Sequence, residues 1–347
     1  MLKCATFSNF TTVPNGEWTF SPGLNVIIGE NGLGKSHVLK SIYALLKVQA
    51  TRSPEDFSKS SLEKAYAEKL IKVLRPESLG RLVKRRQGRE RCGIRLQMEQ
   101  AAQGCAIEFA TNAQSRVEVI EAPTEPLTSS PVYLPTRELI TLCPWFGPLY
   151  ENYHLEFEET WRDTLSLLGA PSVKGPREKQ TTRLLAPLEV AMGGKVVIDN
   201  HSGRFYLKVH GEGQIEMPLV AEGVRKLAML ARLISTGALL DNGYLFWDEP
   251  ETNLNPKLIK TVATNIFHLA ATGIQTFIAT HSLFLLRELE MLASTSQKHG
   301  TRCRWFALAL SESGVMVEQE DHVDDLKTIV MLDEELAQSD RFMASAD

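Results

Sequence analysis

Apolar and polar positions follow changing rhythms along the chain, and glycine, proline and short polar clusters mark the changes. Residues 1 to 47 read as two short strands, a turn at Pro14-Asn15-Gly16, the buried apolar strand Leu24 to Ile28 and a helix from His37 to Lys47. Residues 50 to 90 are polar and predict helix, ending in a basic stretch of Arg81, Lys84, Arg85, Arg86, Arg89 and Arg91. Alternation over Gly93 to Glu99 and Cys105 to Phe109 predicts a hairpin or meander. Val132 to Leu134 is another short strand, stopped by Pro135 and the turn Thr136-Arg137-Glu138.

From Pro148 to Val190 the period turns helical, with Trp161, Leu165, Leu167 and Leu168 at apolar positions and the loop Pro171 to Gln180 as an interruption. Strands follow at Lys195 to Ile198 and Phe205 to Val209, with turns at Asn200-His201-Ser202-Gly203 and Gly211-Glu212-Gly213. Then helix and strand alternate: helix Ala221 to Ile234, strand Tyr244 to Trp247, helix Pro256 to Ala271, strand Gln275 to Ala279, helix Leu283 to Leu292. That alternation implies a parallel sheet with crossover helices. A strand at Arg304 to Leu310, a hairpin partner at Val315 to Glu318 and an acidic helix close the chain. There is no internal repeat or heptad run, and the middle of the chain is too short and irregular for a long coiled-coil arm.

Composition narrows the class without naming a partner. The 347 residues are 43% hydrophobic, enough for one large core or two coupled ones. A formal net charge of -4 excludes the global basic character of a protein that coats nucleic acid, although a local patch such as Arg81 to Arg91 can still bind a phosphodiester backbone. Cys4, Cys92, Cys105, Cys143 and Cys303 lack metal-ligand spacing and predict reduced thiols, which fits the cytoplasm. No export signal and no span of roughly 20 apolar residues is visible, so no membrane association is expected.

Two motifs carry the chemistry. Gly29-Glu30-Asn31-Gly32-Leu33-Gly34-Lys35-Ser36 follows the apolar strand directly and fits G-x-x-x-x-G-K-[ST], the loop that wraps the phosphates of ATP or GTP. Backbone N–H groups curl round the anion, Lys35 reaches the β and γ oxygens, Ser36 can ligate Mg²⁺, and the helix opening at His37 faces the phosphates. Tyr244 to Trp247 then delivers Asp248 and Glu249 at a strand end, a Walker B pattern. Asp248 is expected to hold Mg²⁺ or its waters, and Glu249 to orient and deprotonate the attacking water.

Together with Ala221-Glu222-Gly223-Val224-Arg225-Lys226, Trp247 to Pro256 and Ala279-Thr280-His281-Ser282, these pieces resemble the ABC-type ATPases. The closer resemblance is to the bacterial AAA-type ATPases related to the overcoming-lysogenization-defect (OLD) proteins, whose head fold is shared with RecF and the chromosome-maintenance ATPases. It implies an α/β P-loop head with a mixed sheet, N-terminal antiparallel strands and an inserted helical lobe. One such domain would span 1–347: a P-loop lobe (1–47), inserted basic helical and β segments (48–147), a helical lobe (148–192), a lobe with signature, Walker B and switch histidine (193–310), and a C-terminal hairpin with an acidic helix (311–347).

The resemblance further implies that Ala221 to Lys226 is the signature segment, reaching the γ-phosphate bound by a second subunit through Glu222, Gly223, Arg225 and Lys226. Arg225 or Lys226 would add charge of the arginine-finger kind, and His281 would be the switch histidine that contacts the γ-phosphate. Where transporter-type relatives have Ser-Gly-Gly, this chain has Ala221-Glu222-Gly223, so the serine contact is missing. Asn255 stands where an acid or histidine is often found, and the Thr136 to Glu138 turn is a better positional candidate than Gln97 for the loop that links the metal to the inserted lobe.

The expected function is therefore ATP hydrolysis at a composite interface, in a homodimer or higher oligomer, coupled to a separate effector protein such as a nuclease or toxin in antiphage or mobile-DNA defence. Only Ser311 to Asp347 follow the last strand, too little for the TOPRIM nuclease domain that OLD relatives commonly carry, so effector chemistry is expected to lie in another polypeptide or to be absent. Two alternatives stay open: a RecF- or SMC-like ATPase that grips DNA, and an ATP-gated oligomeric scaffold with little turnover.

Overall fold

Every residue of Leu24–Gly29 (β3) is buried, as an apolar run flanked by strands on both sides requires. The computed structural model describes residues 1–85, 90–153, 155–199, 201–240, 243–296, 300–312 and 314–345. In it β3 lies within a six-stranded sheet of order β14-β13-β3-β12-β11-β7. Its other strands are Val132–Leu134 (β7), Tyr244–Asp248 (β11), Gln275–Thr280 (β12), Cys303–Ser311 (β13) and Gly314–Glu320 (β14). All pair in parallel except β14, which returns antiparallel from β13.

Strand alternation divides the interior in two. Val26, Ile28, Leu245, Trp247 and Ile278 enter one apolar cluster with helices Glu222–Ser235 (α6), Pro256–Ala271 (α7) and Leu283–Ser296 (α8). Ile27, Phe246, Phe277 and Ala279 enter the other, with helices Lys35–Ala50 (α1) and Lys59–Leu74 (α2) and a five-stranded antiparallel sheet. That second sheet runs β2-β1-β4-β5-β6, built from Leu2–Ser8 (β1), Gly16–Thr19 (β2), Arg91–Met98 (β4), Cys105–Ala110 (β5) and Glu118–Glu121 (β6). The mixed α/β class and the N-terminal antiparallel strands read from the sequence are both present.

Between β7 and α6 lie three helices, Cys143–Tyr153 (α3), Glu159–Gly169 (α4) and Pro176–Met192 (α5), then a small antiparallel sheet of Gly194–Ile198 (β8), Phe205–Val209 (β9) and Gly213–Glu216 (β10). The chain ends in Val330–Ala344 (α9).

Several elements depart from the sequence pattern. The loop expected over Pro171 to Gln180 stops at Gly175, because Pro176 occupies the first turn of α5, where its missing N–H costs nothing. Strands β6 and β10 are only four residues each, too short to announce a period. Where it is described, the basic stretch is not α-helical: Leu79–Leu82 forms one 3₁₀ turn, Val83 bridges to Phe10, and Arg91 already begins β4. Arg86 and Arg89, and Asn200 of the predicted turn, lie outside the described residues. Among the described residues no helix is long and apolar enough to cross a membrane.

Candidate functional site

The site is assembled at the C-terminal edge of three adjacent parallel strands, where open α/β sheets place their ligands. From β3 the chain turns through Gly29 to Gly34 into α1; from β11 it delivers Asp248 and Glu249; from β12 it delivers Thr280 and His281. Glu30, Asn31 and Gly32 are exposed at the loop's tip, while Leu33 is anchored in the core. Gly34 sits just before α1 with φ +96°, a left-handed conformation, and a methyl group there would lie 2.9 Å from Thr12 Oγ1. Only glycine fits that turn without strain.

Lys35 is buried, and its Nζ donates to the carbonyls of Gly29 and Glu30 at 2.7 and 2.8 Å. Burial pushes its pKa down, against the pull of the Glu249, Asp248 and Glu251 carboxylates. His37 turns aside: its Nδ1 is 2.9 Å from Thr11 Oγ1 and its ring meets the edge of Phe10, so only its backbone is directed as the motif requires.

Asp248 holds the centre. Its carboxylate is buried and accepts the Tyr133 hydroxyl on Oδ2 at 3.2 Å, with the Ser36 hydroxyl near enough to favour its charged form, yet Oδ1 has no partner. Burial raises its pKa in spite of those hydroxyls and of Lys40. A buried carboxylate oxygen left without a donor, next to the serine of a phosphate loop, is the donor set that a Mg²⁺ ion shared with phosphate uses. Among the described residues no cluster of three or more His, Cys, Asp or Glu side chains forms a protein-only metal cage, and Mg²⁺ of this kind needs none.

Glu249 adopts φ +48°, unusual for a side-chain-bearing residue, with its N–H donating to Ala279 O at 2.8 Å. Its Oε1 lies 3.1 Å from His281 Nδ1. Behind the pair stands Glu251, a buried acid whose Oε1 accepts the Thr280 hydroxyl at 2.6 Å and the His281 backbone N–H at 3.3 Å. A general base and a histidine, each oriented by a neighbour, can hold and align a water molecule.

Glu251 and Tyr133 were missed as site residues by the sequence reading. For Glu251 a signal existed, as the second acid of Asp248-Glu249-Pro250-Glu251; for Tyr133, an apolar three-residue strand gave none. Asn255 has a local explanation: its Oδ1 accepts the Leu258 N–H at 3.0 Å and caps α7, whose first residue is Pro256.

The signature segment divides. Glu222 is exposed at the start of α6, and Arg225 forms a 3.2 Å ion pair with Glu138 whose Nε is not aligned for a hydrogen bond. Glu138 belongs to the turn proposed as the metal-linking loop, whereas Gln97 lies on β4 opposite Cys4, in the other sheet. Lys226, expected to face a second subunit, points inward instead: it is 2% exposed and its Nζ donates to Glu249 O at 2.8 Å and Thr252 O at 3.2 Å. The physical reason is the helical period, which turns Lys226 to the side of α6 that holds the buried Gly223, Leu227 and Leu230. Burial pushes its pKa down to about 8 despite Glu251 and Glu249.

Two of the four described residues of the basic stretch are ion-paired within the chain. Arg81 pairs with Glu77 at 3.0 Å, and Arg91 with Glu108 and Glu118 across the antiparallel sheet.

The sheet order, the glycine loop and the acid-tipped strand give the chain the fold of P-loop ATPase heads. Comparison with known proteins agrees: residues 149–287 match the family described as "AAA domain, putative AbiEii toxin, Type IV TA system". An SMC head solved with the C-winged helix domain of ScpA superimposes with a TM-score of 0.57 at 13% identity, covering 94% of this chain and 99% of that one. The SMC head of Thermotoga maritima gives 0.50 at 12% identity, over 92% and 98%. Locally, the DNA replication and repair protein RecF of Streptococcus gordonii is 41% identical over 58 residues, 16% of each chain. RecF of Streptococcus uberis is 42% identical over 67 residues, 18% of each. The matched stretch thus spans less than a fifth of those relatives.

Proposed function

We propose that this chain binds and hydrolyses ATP, with Lys35 and the loop N–H groups holding the phosphates, Ser36 and Asp248 holding Mg²⁺, and Glu249 acting as the base toward water. The observation that carries this reading is the 3.1 Å contact between Glu249 and His281, one residue beyond a buried Asp248 whose Oδ1 is unpartnered. Mg²⁺, when bound, neutralises charge on the phosphate oxygens. Glu251 and Thr280 keep His281 in place, and His281 in turn holds the Glu249 carboxylate in one orientation.

In this reading the exposed Glu222 and the first turn of α6 meet the nucleotide of a second copy, so ATP joins two heads. The family match of residues 149–287, whose description names a putative toxin of a type IV toxin–antitoxin system, supports a toxin–antitoxin setting; defence against phage and output through a separate effector protein are part of our proposal. The local likeness to RecF favours a second reading, in which closure grips DNA. Against it stands the pairing of Arg81 and Arg91 with acids of their own chain.

Three proteins test the proposal: wild type, Lys35→Ala and Glu249→Gln, each assayed for phosphate release and for mass in solution with Mg²⁺ and ATP. Wild type should turn over; Glu249→Gln should lose about 10²-fold or more in kcat while accumulating an ATP-dependent dimer; Lys35→Ala should do neither. Turnover by Lys35→Ala at the wild-type rate would refute the assignment. Salt-sensitive, ATP-dependent DNA binding by wild type would favour the second reading.

A further inference from the structure

The buried amine of Lys226 has no obvious structural need to be charged, since α6 is otherwise anchored by a row of leucines and alanines. Its two acceptors are the carbonyls of Glu249 and Thr252, the two ends of the turn that follows β11. Two residues of this segment are in the left-handed region, Glu249 at the start of the turn with φ +48° and Asn253 just after it with φ +63°. Non-glycine residues stay there only when their surroundings hold them. Inside the turn, Thr252 N–H donates to Glu249 O and Leu254 N–H to Glu251 O, at 3.2 and 3.0 Å. Glu249 O accepts from Lys226 at the same time, so both lone pairs of that carbonyl are used.

A second contact ties the same helix turn to the same loop. A methyl group on Gly223 would lie 2.7 Å from Asn253 O and 3.1 Å from a Leu254 methyl, so the first turn of α6 lies directly on residues 253 and 254. Gly223 and Lys226 are three residues apart and share one face of the helix. The face that touches the turn and the exposed edge at Glu222 therefore belong to one rigid element.

We infer that Lys226 is a positioning residue for hydrolysis: acting within its own head, it clamps the carbonyls of Glu249 and Thr252, fixing the strained backbone that aims the Glu249 carboxylate at His281. This rests on the proposed ATPase reading and adds a coupling to it. Displacement of the first turn of α6 by a second copy reaches Glu249 through Lys226, so turnover answers to assembly without a charge from α6 touching the nucleotide. The contrast with the arginine-finger role is sharp, because a finger acts on the partner's nucleotide and a clamp on its own Walker B turn.

The test compares wild type, Lys226→Met and Lys226→Arg. Methionine matches the length and suits the buried setting but removes the side-chain donor from both carbonyls, leaving Glu249 O with the Thr252 N–H alone and Thr252 O without its Lys226 donor; arginine restores donors. Lys226→Met should lower kcat by about tenfold or more while KM for ATP stays within about twofold, and Lys226→Arg should recover part of the loss. Amide hydrogen exchange supplies the direct readout: residues 249–254 should exchange about tenfold faster in Lys226→Met, with α1 unchanged. Unchanged exchange in 249–254 would overturn the inference, as would equal acceleration in α1, which would make Lys226 merely structural. A wild type that does not hydrolyse ATP would remove the ATPase reading alone, and the exchange comparison would still decide the clamp.

Discussion

Two largely enclosed aspartates, Asp163 and Asp248, are treated in opposite ways. Asp163, on α4, is surrounded: Lys69 Nζ and the Tyr43 hydroxyl both reach its Oδ2 at 2.6 Å, and Glu159 beside it takes Lys69 and Arg162. Burial alone would raise its pKa, yet Lys69 and Tyr43 outweigh burial and hold it below the usual carboxylate value. Asp248 accepts one hydroxyl bond, from Tyr133, keeps one oxygen unpartnered and is held above that value. The Asp163 carboxylate is paired within the chain and docks the helical lobe onto α1, although Oε2 of the neighbouring Glu159 is buried without a partner. The Asp248 cluster is left short of positive charge, which is how a site that recruits a cation differs from one that only holds a fold.

That difference can be broken from either side. The largest stability effect should come from Asp163→Ala, which strands Lys69 in the interior; a loss of about 3–5 kcal/mol, read as a fall of roughly 5–10 °C in melting temperature, is expected. Asp248→Asn should go the other way in nucleotide-free protein. Its folded pKa is raised above the unfolded value, so the native state carries a penalty that appears as pH rises through the ordinary aspartate range and is full above the raised value. Removing the charge should then raise the melting temperature by about 1–3 °C at pH 7, shrink that gain as pH falls toward 4, and abolish Mg²⁺-dependent nucleotide binding. No rise at neutral pH would show that the site is not electrostatically incomplete. The smallest effect should be Arg91→Ala: its pairs with Glu108 and Glu118 are exposed, and melting should shift by no more than about 1 °C.

The two clusters also differ in how visible they were. Gly29 to Ser36, Asp248, Glu249 and His281 stand at fixed offsets from apolar strands, and a strand of period two or a full apolar run is a local signal. Lys69, Glu159 and Asp163 sit on helices α2 and α4, where charged residues ordinarily mark a solvated face, and only packing against α1 turns them inward. The same rule misdirected Lys226: as part of an Arg-Lys pair opening a helix it suggested a surface or a partner. Arg225 is partly exposed and ion-paired to Glu138 of its own chain, while Lys226 one step round the helix is buried.

The sequence by itself determined the phosphate loop, the acid-tipped strand, the histidine after the next strand and the parallel alternation that brings them to one edge, because each depends on residues close together in the chain. Only the tertiary structure decided which charges are spent inside the fold and which are left over. That Lys226 clamps the Walker B turn, that Glu251 and Thr280 hold His281, that Tyr133 reaches Asp248, and that Asp163 is satisfied while Asp248 is not all depend on contacts between segments from 20 to more than 110 residues apart. Local pattern records which residues can be buried; which partner meets them there is set by how the layers close.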